Sequence, residues 1–353
     1  MTIDQTRLDE YVGKAVTDVG ATATTALVIL GDRLGLWQAM AGAGPLTSEQ
    51  LAARTGCAER YLREWMAAQA AGGWLSYDPA AGAYTLAEEA AVVLTDSDSP
   101  AYLAGLFALM LPWYRDLHHN ELAFRTGDGV AWAAHDDELY HAVEWLFRHA
   151  YATSLTQAWI PAFDRLDGRL RSGPARIADV GCGHGASTVM LAKAYPNAEV
   201  VGFDAHPASL ERAATAAGAA GVAERVRFEI AQAQSFPGDG YDLVVCCDCL
   251  HDMSDPIGAA RRIREALAAD GYWLVVEPFA NDCIEDNLNP VGRIWYAAST
   301  LVCTPGSLVE APAFGLGAQA GEVRLAEVIK AGGFSTVGRV AATAFNLVLG
   351  ARP

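Results

Sequence analysis

The sequence predicts an α/β protein whose second half is a parallel sheet with helices on both faces. From about residue 175, short apolar runs alternate with helical stretches, which is the pattern of such a sheet. Residues 1–95 have the pattern of short helices with one hairpin, and residues 96–170 that of helices rich in Trp, Tyr and His. We therefore expect an N-terminal domain over 1–95, a helical linker over 96–170, and the sheet domain over 171–353.

Composition excludes several classes of protein. A chain of 353 residues that is 52% hydrophobic and 19% charged can bury a large core, so it is neither disordered nor fibrous. The net charge of −17 disfavours nucleic acid and acidic membrane surfaces. The longest apolar run, 104–113, is shorter than the roughly 20 residues that span a bilayer, and no signal-peptide core is present. Seven cysteines without a CxxC pair indicate reduced thiols in the cytoplasm.

The N-terminal region has the pattern of a winged helix. Thr47 and Gln50 are spaced as a capping box that starts a helix over 48–54. A second helix is predicted over 58–71, and glycines end it. Residues 74–77 and 83–86 then flank a turn as the strands of a hairpin.

Charge decides between two roles for this winged helix. Residues 1–95 hold 11 acids and 6 bases, and the second helix offsets Arg60 and Arg63 with two glutamates. DNA binding needs a surplus of positive charge. A packing or dimerisation module is therefore favoured, and the leucines over 22–40 offer apolar surface to a partner subunit's helix.

The most informative segment is Asp-Val-Gly-Cys-Gly-His-Gly at 179–185. An apolar strand leads into glycines at alternate positions, and a helix follows, so a ligand can approach the backbone closely. A second strand ends at Asp204, where a carboxylate is placed to bind the hydroxyls of a ribose. An adenosine-containing ligand is expected there.

Two cofactors fit the glycines, because Gly181, Gly183 and Ala186 also satisfy the dinucleotide pattern GxGxxG/A. A pyrophosphate prefers a helix N-terminus without nearby anions. Here Asp179 precedes the first glycine, and the loop has no arginine or lysine. The charge pattern therefore favours S-adenosylmethionine, which has no phosphate and carries an ammonium and a sulfonium.

These motifs resemble those of the class I S-adenosylmethionine-dependent methyltransferases, over residues 175–353. Further strands match at 226–230, 241–248 and 271–278, and a closing hairpin matches at 336–342 and 344–349, which in that family makes the last strand antiparallel. The resemblance implies a Rossmann-like seven-stranded sheet. It also implies nine cofactor contacts: Asp179, Gly181, Gly183, Asp204, Ala205, Gln232, Ala233, Cys247 and Asp248.

A second resemblance covers the whole chain. Small-molecule O-methyltransferases, and among them actinobacterial methyltransferases, carry a winged helix as a dimerisation domain, so the resemblance implies a homodimer. Leu-His-Asp-Met-Ser-Asp at 250–255 is similar to the motif whose histidine is the general base in the plant-type enzymes. The resemblance thus implies that His251 is the base and that Glu277 flanks it. A neutral imidazole accepts a proton at pH 7.

The resemblance implies that the aromatic helical region over 96–170 forms a substrate lid and that the insertion at 289–305 closes the pocket, so the acceptor site is expected there. An aromatic wall suits a flat or hydrophobic small molecule. Trp113, His149 and Tyr296 are the predicted substrate contacts, and no metal site is predicted. Two other readings stay open on the sequence: a DNA-binding regulator with a cofactor-sensing domain, and a nicotinamide-dependent oxidoreductase.

Overall fold

The computed structural model describes residues 3–353 and divides the chain into two compact units, one ending at Met110 and the other spanning Leu111–Pro353. The helical region predicted as a linker over 96–170 thus falls mostly inside the second unit. None of the helices in the described part of the chain has the length and apolar character needed to cross a membrane.

The first unit is a helical domain with a small hairpin, as predicted. Its capping box at Thr47 and Gln50 forms with both reciprocal hydrogen bonds. Trp37 Nε1 and Trp65 Nε1 donate to backbone carbonyls of the first helix, at 3.1 and 2.8 Å. A Cβ at Gly31 would meet both rings, so only glycine lets them pack there. The elements are α1 (Gln5–Arg33), α2 (Leu36–Met40), α3 (Ser48–Thr55), α4 (Glu59–Ala71), β1 (Leu75–Asp78), β2 (Ala83–Leu86), α5 (Glu88–Thr95) and α6 (Ala104–Ala108).

The second unit starts with four helices and continues as a sheet with helices on both faces. The helices that precede the sheet are α7 (Met110–Arg115), α8 (Leu117–Thr126), α9 (Asp137–Ser154) and α10 (Leu166–Ser172). The sheet region runs through β3 (Ala175–Val180), α11 (Ala186–Ala194), β4 (Ala198–Asp204), α12 (Pro207–Ala219), β5 (Val226–Ile230), β6 (Tyr241–Cys247), α13 (Pro256–Ala266), β7 (Leu267–Pro278), α14 (Pro290–Ala298), α15 (Thr304–Ser307), α16 (Gly321–Ala331), β8 (Thr336–Ala342) and β9 (Asn346–Arg352).

The sheet has seven strands in the order β5-β4-β3-β6-β7-β9-β8. Every pair from β5 to β7 is parallel, and β9 runs antiparallel to both of its neighbours. The predicted α/β class, the seven-stranded sheet and the antiparallel last strand are confirmed. Because the strand order reverses beside β3, the loops after β3 and β6 face a crevice at the carboxyl edge, where α/β proteins bind ligands.

Candidate functional site

The loop between β3 and α11 forms a tight backbone cradle. Gly181 and Gly183 have φ of 75° and 53°, in the left-handed region that favours glycine. Gly183 N donates to Asp204 Oδ2 at 2.8 Å, so the loop is tied to the end of β4. A Cβ at Gly181 would lie 2.7 Å from Cys249 Sγ, whereas a Cβ at Gly183 would meet nothing within 4 Å. Gly183 therefore faces open space.

Asp179 lies under this loop and is fully buried. Its Oδ2 accepts hydrogen bonds from the hydroxyls of Ser187 and Thr188, both at 2.6 Å, and its Oδ1 has no hydrogen-bond partner. Burial raises the pKa of the carboxyl to about 6, although the two hydroxyls oppose the shift. Asp179 does not line the cavity described next, whereas the other predicted cofactor residues do.

A cavity of about 530 Å³ opens at the carboxyl ends of the parallel strands, a volume typical of small-molecule sites. Eight of the nine predicted cofactor residues line it, and we call them the sheet wall. They are Gly181, Gly183, Asp204, Ala205, Gln232, Ala233, Cys247 and Asp248.

Asp248 is held in a strained conformation directly after β6. Its φ is 52°, which a non-glycine residue adopts at a cost, and such strain often marks functional sites. Its Oδ2 accepts from Tyr151 Oη at 2.6 Å, and burial raises its pKa well above the usual value. Tyr151 comes from α9, far away in sequence, and sequence reasoning missed it.

Helix α9 supplies the opposite side of the cavity. Tyr140, Glu144, Phe147 and Tyr151 recur along one face of α9, and Trp132 joins them from the preceding 3₁₀ turn. We call these five residues the helix wall. The hydroxyl of Tyr140 is buried without a hydrogen-bond partner, and burial raises the pKa of Tyr140 to about 12.

None of the three predicted substrate contacts lines this cavity. His149 is nine residues beyond Tyr140 and therefore lies on the other side of α9, since nine residues turn a helix by about 180°. Trp113 is buried in α7, and Tyr296 is only partly buried in α14. An aromatic wall was expected, but the rotation of α9 about its axis determines which residues form it.

His251 and Glu277 form a buried pair, as the resemblance implied. Nδ1 of His251 is in close contact with Glu277 Oε2, and Glu277 Oε1 accepts from Leu250 N at 2.9 Å. On the other side of the ring, Nε2 lies 3.2 Å from Asp252 Oδ1. Burial opposes the charged imidazole, but the carboxylates of Asp252 and Glu277 outweigh it and hold the pKa of His251 well above its usual value.

The surroundings of His251 bear on its predicted role as the base. The ring of His251 does not line the cavity, and both of its nitrogens face carboxylates. The residue of this array that lines the cavity is Asp252. Direct contact between a neutral His251 and an acceptor is therefore not the arrangement in this structure.

Electrostatically the cavity is one-sided. No arginine or lysine of the described residues lines it, whereas five carboxylates do. They are Glu144, Asp204, Asp248, Asp252 and Glu310. Burial raises the pKa of Asp204, which is the direction expected for an acid that lacks a cationic partner. Such a wall suits a cationic ligand and repels a pyrophosphate.

Metal ligands were not expected, yet two clusters among the described residues have suitable side chains. His141, Glu144 and His184 form one, and His251, Asp252 and Cys303 the other. In the first cluster, the guanidinium of Arg212 contacts the ring of His141, and its positive charge disfavours the binding of a metal cation there.

Comparison with known proteins assigns both parts of the chain. Residues 178–273 match the model of a methyltransferase domain, and residues 22–96 match that of an Rv2258c-like winged helix-turn-helix domain. One segment of the chain thus matches a winged helix and another matches a methyltransferase domain, and the predicted resemblance is confirmed for both.

Three relatives are informative. The O-demethylpuromycin-O-methyltransferase of Streptomyces alboniger is 34% identical over 120 residues, which are 33% of this chain and 32% of that enzyme. A Nostoc punctiforme protein described as a candidate O-methyltransferase has a TM-score of 0.71 at 22% identity and covers 97% of this chain and 98% of its own. Human N-acetylserotonin methyltransferase, solved with S-adenosylmethionine, has a TM-score of 0.69 at 18% identity, covering 99% and 98%.

These likenesses differ in what they establish. The solved structures share the fold over nearly the full chain. The chain spans only 47% and 32% of the length of two curated relatives that it matches. Activity and substrate therefore have to be argued from the site.

Proposed function

We propose that the protein transfers a methyl group from S-adenosylmethionine to an oxygen of a small aromatic or hydrophobic molecule. The observation that carries this proposal is the cavity at the glycine loop, lined by five carboxylates and by no arginine or lysine of the described residues. A ligand with a sulfonium and an ammonium is attracted there, whereas the diphosphate of a nicotinamide cofactor is repelled.

The residues present fit S-adenosylmethionine in three respects. Gly183 leaves open space at the loop, Asp204 presents a carboxylate at the end of β4, and Asp179 keeps one buried oxygen without a partner. We assign the ribose to Asp204, the adenine edge to Gln232 and Ala233, and the cationic end to the region of Asp179 and Asp248. When bound, the cofactor supplies an activated methyl group.

On the acceptor side, we propose that the hydroxyl proton passes to Asp252. Its carboxylate lines the cavity, and burial raises its pKa, which strengthens it as a base. His251 and Glu277 stand behind it and position it, so both are positioning residues in this scheme. The helix wall holds the acceptor for in-line attack, and alignment alone supplies roughly 7–11 kcal/mol.

We further propose a cytoplasmic homodimer formed through the N-terminal domain. Seven cysteines without a disulfide suit a reducing compartment. Helix α1 exposes apolar side chains along its first half, among them Tyr11, Val16 and Val19, which suits a second copy of the chain. In α4, Arg60 and Arg63 pair with glutamates at 2.7 and 2.8 Å, which disfavours contact with DNA phosphates.

Calorimetric titration tests the cofactor. We expect stoichiometric binding of S-adenosylhomocysteine and no binding of NAD or NADH, with no salt-dependent binding of duplex DNA. Transfer of a labelled methyl group to a panel of phenols then identifies the acceptor class. Tight binding of NADH without binding of S-adenosylhomocysteine would overturn the proposal.

A further inference from the structure

A buried cluster beside the cavity joins three different metal-ligating side chains. His251 and Asp252 come from the 3₁₀ turn after β6, and Cys303 comes from the π-helical turn that precedes α15. One ligand atom from each lies within 4.8 Å of the other two. Imidazole, carboxylate and thiolate together form a mixed donor set that zinc accepts.

The spacing of two of these atoms is that of ligands sharing an ion. His251 Nε2 and Asp252 Oδ1 are 3.2 Å apart, but Oδ1 has no hydrogen-bond partner, so the two atoms are close without being aligned as donor and acceptor. Two ligands about 2.0 Å from a tetrahedral zinc are separated by about 3.3 Å. The ligand atoms thus stand at the distance that a shared cation requires.

A carboxylate behind the imidazole completes the arrangement. Glu277 contacts Nδ1 of His251 and is itself anchored by Leu250 N at 2.9 Å. Histidines that bind metals nearly always donate their other ring N–H to such a group, which fixes Nε2 as the ligand atom. The pair is 3% and 1% exposed, so its orientation is set by the core.

Charge points the same way. Asp248, Asp252 and Glu277 lie in one region, and no arginine or lysine of the described part of the chain hydrogen-bonds or forms an ion pair with them. Buried carboxylates without a cation are costly. A divalent cation bound here would place positive charge beside these carboxylates, and the protons of the imidazole and the thiol would be released to solvent.

We propose that His251, Asp252 and Cys303 bind a divalent first-row transition metal, zinc in preference to magnesium because of the thiolate. Asp252 also lines the cavity, so a fourth coordination position opens toward it, as in zinc sites that bind a substrate. With the metal bound, Asp252 would serve as a ligand in place of its role as the base, and the metal would hold an acceptor hydroxyl or thiol as its anion, with the proton released to solvent. That use rests on the proposed function, whereas binding of the metal does not.

Cobalt titration of the metal-free protein tests the site. After chelator treatment, one equivalent of Co²⁺ should bind and give both visible bands of a tetrahedral site and a near-ultraviolet thiolate-to-cobalt band. Cys303→Ser should lose the near-ultraviolet band. Cys283→Ser is the matched control, because Cys283 is the exposed cysteine most open to adventitious cobalt, and it should keep the full spectrum.

Zinc competition adds a graded measurement. Glu277→Gln should weaken zinc affinity 10–100-fold while the thiolate band remains. Absence of stoichiometric Co²⁺ and Zn²⁺ binding, or an unchanged spectrum in Cys303→Ser, would overturn the proposal. Circular dichroism verifies that each variant is folded, and binding of S-adenosylhomocysteine, measured in parallel, reports separately on the proposed function.

Discussion

The two walls of the cavity are built by different means. The sheet wall comes from loops that follow consecutive strands of one sheet, so backbone and short side chains meet at one edge. The helix wall comes from one face of α9 and a neighbouring turn, and it is aromatic. On the proposed function, the sheet wall binds the cofactor, and the helix wall, with Asp252 and the array behind it, selects and aligns the acceptor.

The largest effect should come from the acceptor side. His251→Ala should lower turnover roughly 10²–10⁴-fold, because Asp252 loses the group that positions it. Affinity for S-adenosylhomocysteine should remain nearly unchanged in calorimetry, since His251 is not on the sheet wall. Unchanged turnover on an acceptor found in the phenol panel would remove His251 and its array from the chemistry.

Asp204→Ala should give the largest loss on the sheet wall. The carboxylate organises Gly183 N and His206 N, both at 2.8 Å, in addition to its proposed ribose contact. Affinity for S-adenosylhomocysteine should fall on the order of 100-fold. Glu310→Gln, which also removes a carboxylate from the cavity, is the control for charge alone. Equal losses in both variants would contradict the ribose assignment.

Asp179→Asn tests how the buried carboxyl of Asp179 affects stability. Burial raises the pKa of Asp179 to about 6, above its ordinary value of 3.8, so folding favours the protonated form. Its contribution to stability is present below pH 3.8 and is lost as pH rises through 6. The free energy of unfolding of the variant, relative to that of the native chain, should therefore rise by on the order of 2–3 kcal/mol when the pH is raised from 4 to 7. Urea unfolding at pH 4 and at pH 7 measures this difference in stability. A difference that does not change with pH would contradict the prediction.

Gly181 and Gly183 form a matched pair within the sheet wall. Gly183→Ala costs about 1 kcal/mol for its positive φ, but its Cβ enters open space, so cofactor affinity should fall about tenfold or more with modest loss of stability. Gly181→Ala also collides with Cys249 and should lose about 2 kcal/mol or more of unfolding free energy. The reverse order of stabilities would refute this account of the loop.

The smallest effect is expected at Tyr140→Phe. The buried hydroxyl of Tyr140 has no hydrogen-bond partner, so its removal should leave the free protein unchanged or up to about 1 kcal/mol more stable. Its ring stacks on His206, 4.6 Å between centroids, beside the cofactor end of the cavity. Affinity for S-adenosylhomocysteine should therefore drop by about tenfold at most. A thermal melt that falls by several degrees would show a structural role instead.

Whether the sequence predicted a site residue depends on where that residue lies in the fold. Gly181, Asp204 and Asp248 were predictable, because each lies at a strand end and parallel strands bring their carboxyl ends to one edge. The side of α9 on which His149 lies could not be predicted, because it depends on the rotation of α9, which the order of residues in a helix does not reveal. Tyr151 was missed for the same reason, although its hydroxyl holds Asp248.

The sequence by itself determined the α/β class, the winged helix with its capping box and the cofactor edge of the sheet, since these rest on short-range periodicity, glycine geometry and charge. Only the tertiary structure decided which face of α9 borders the cavity, and that His251 lies behind Asp252 with a carboxylate at each nitrogen. It also brought Cys303, some fifty residues further along the chain, to the same point. Contacts of that range depend on how helices dock on the sheet, and local sequence carries no record of that docking.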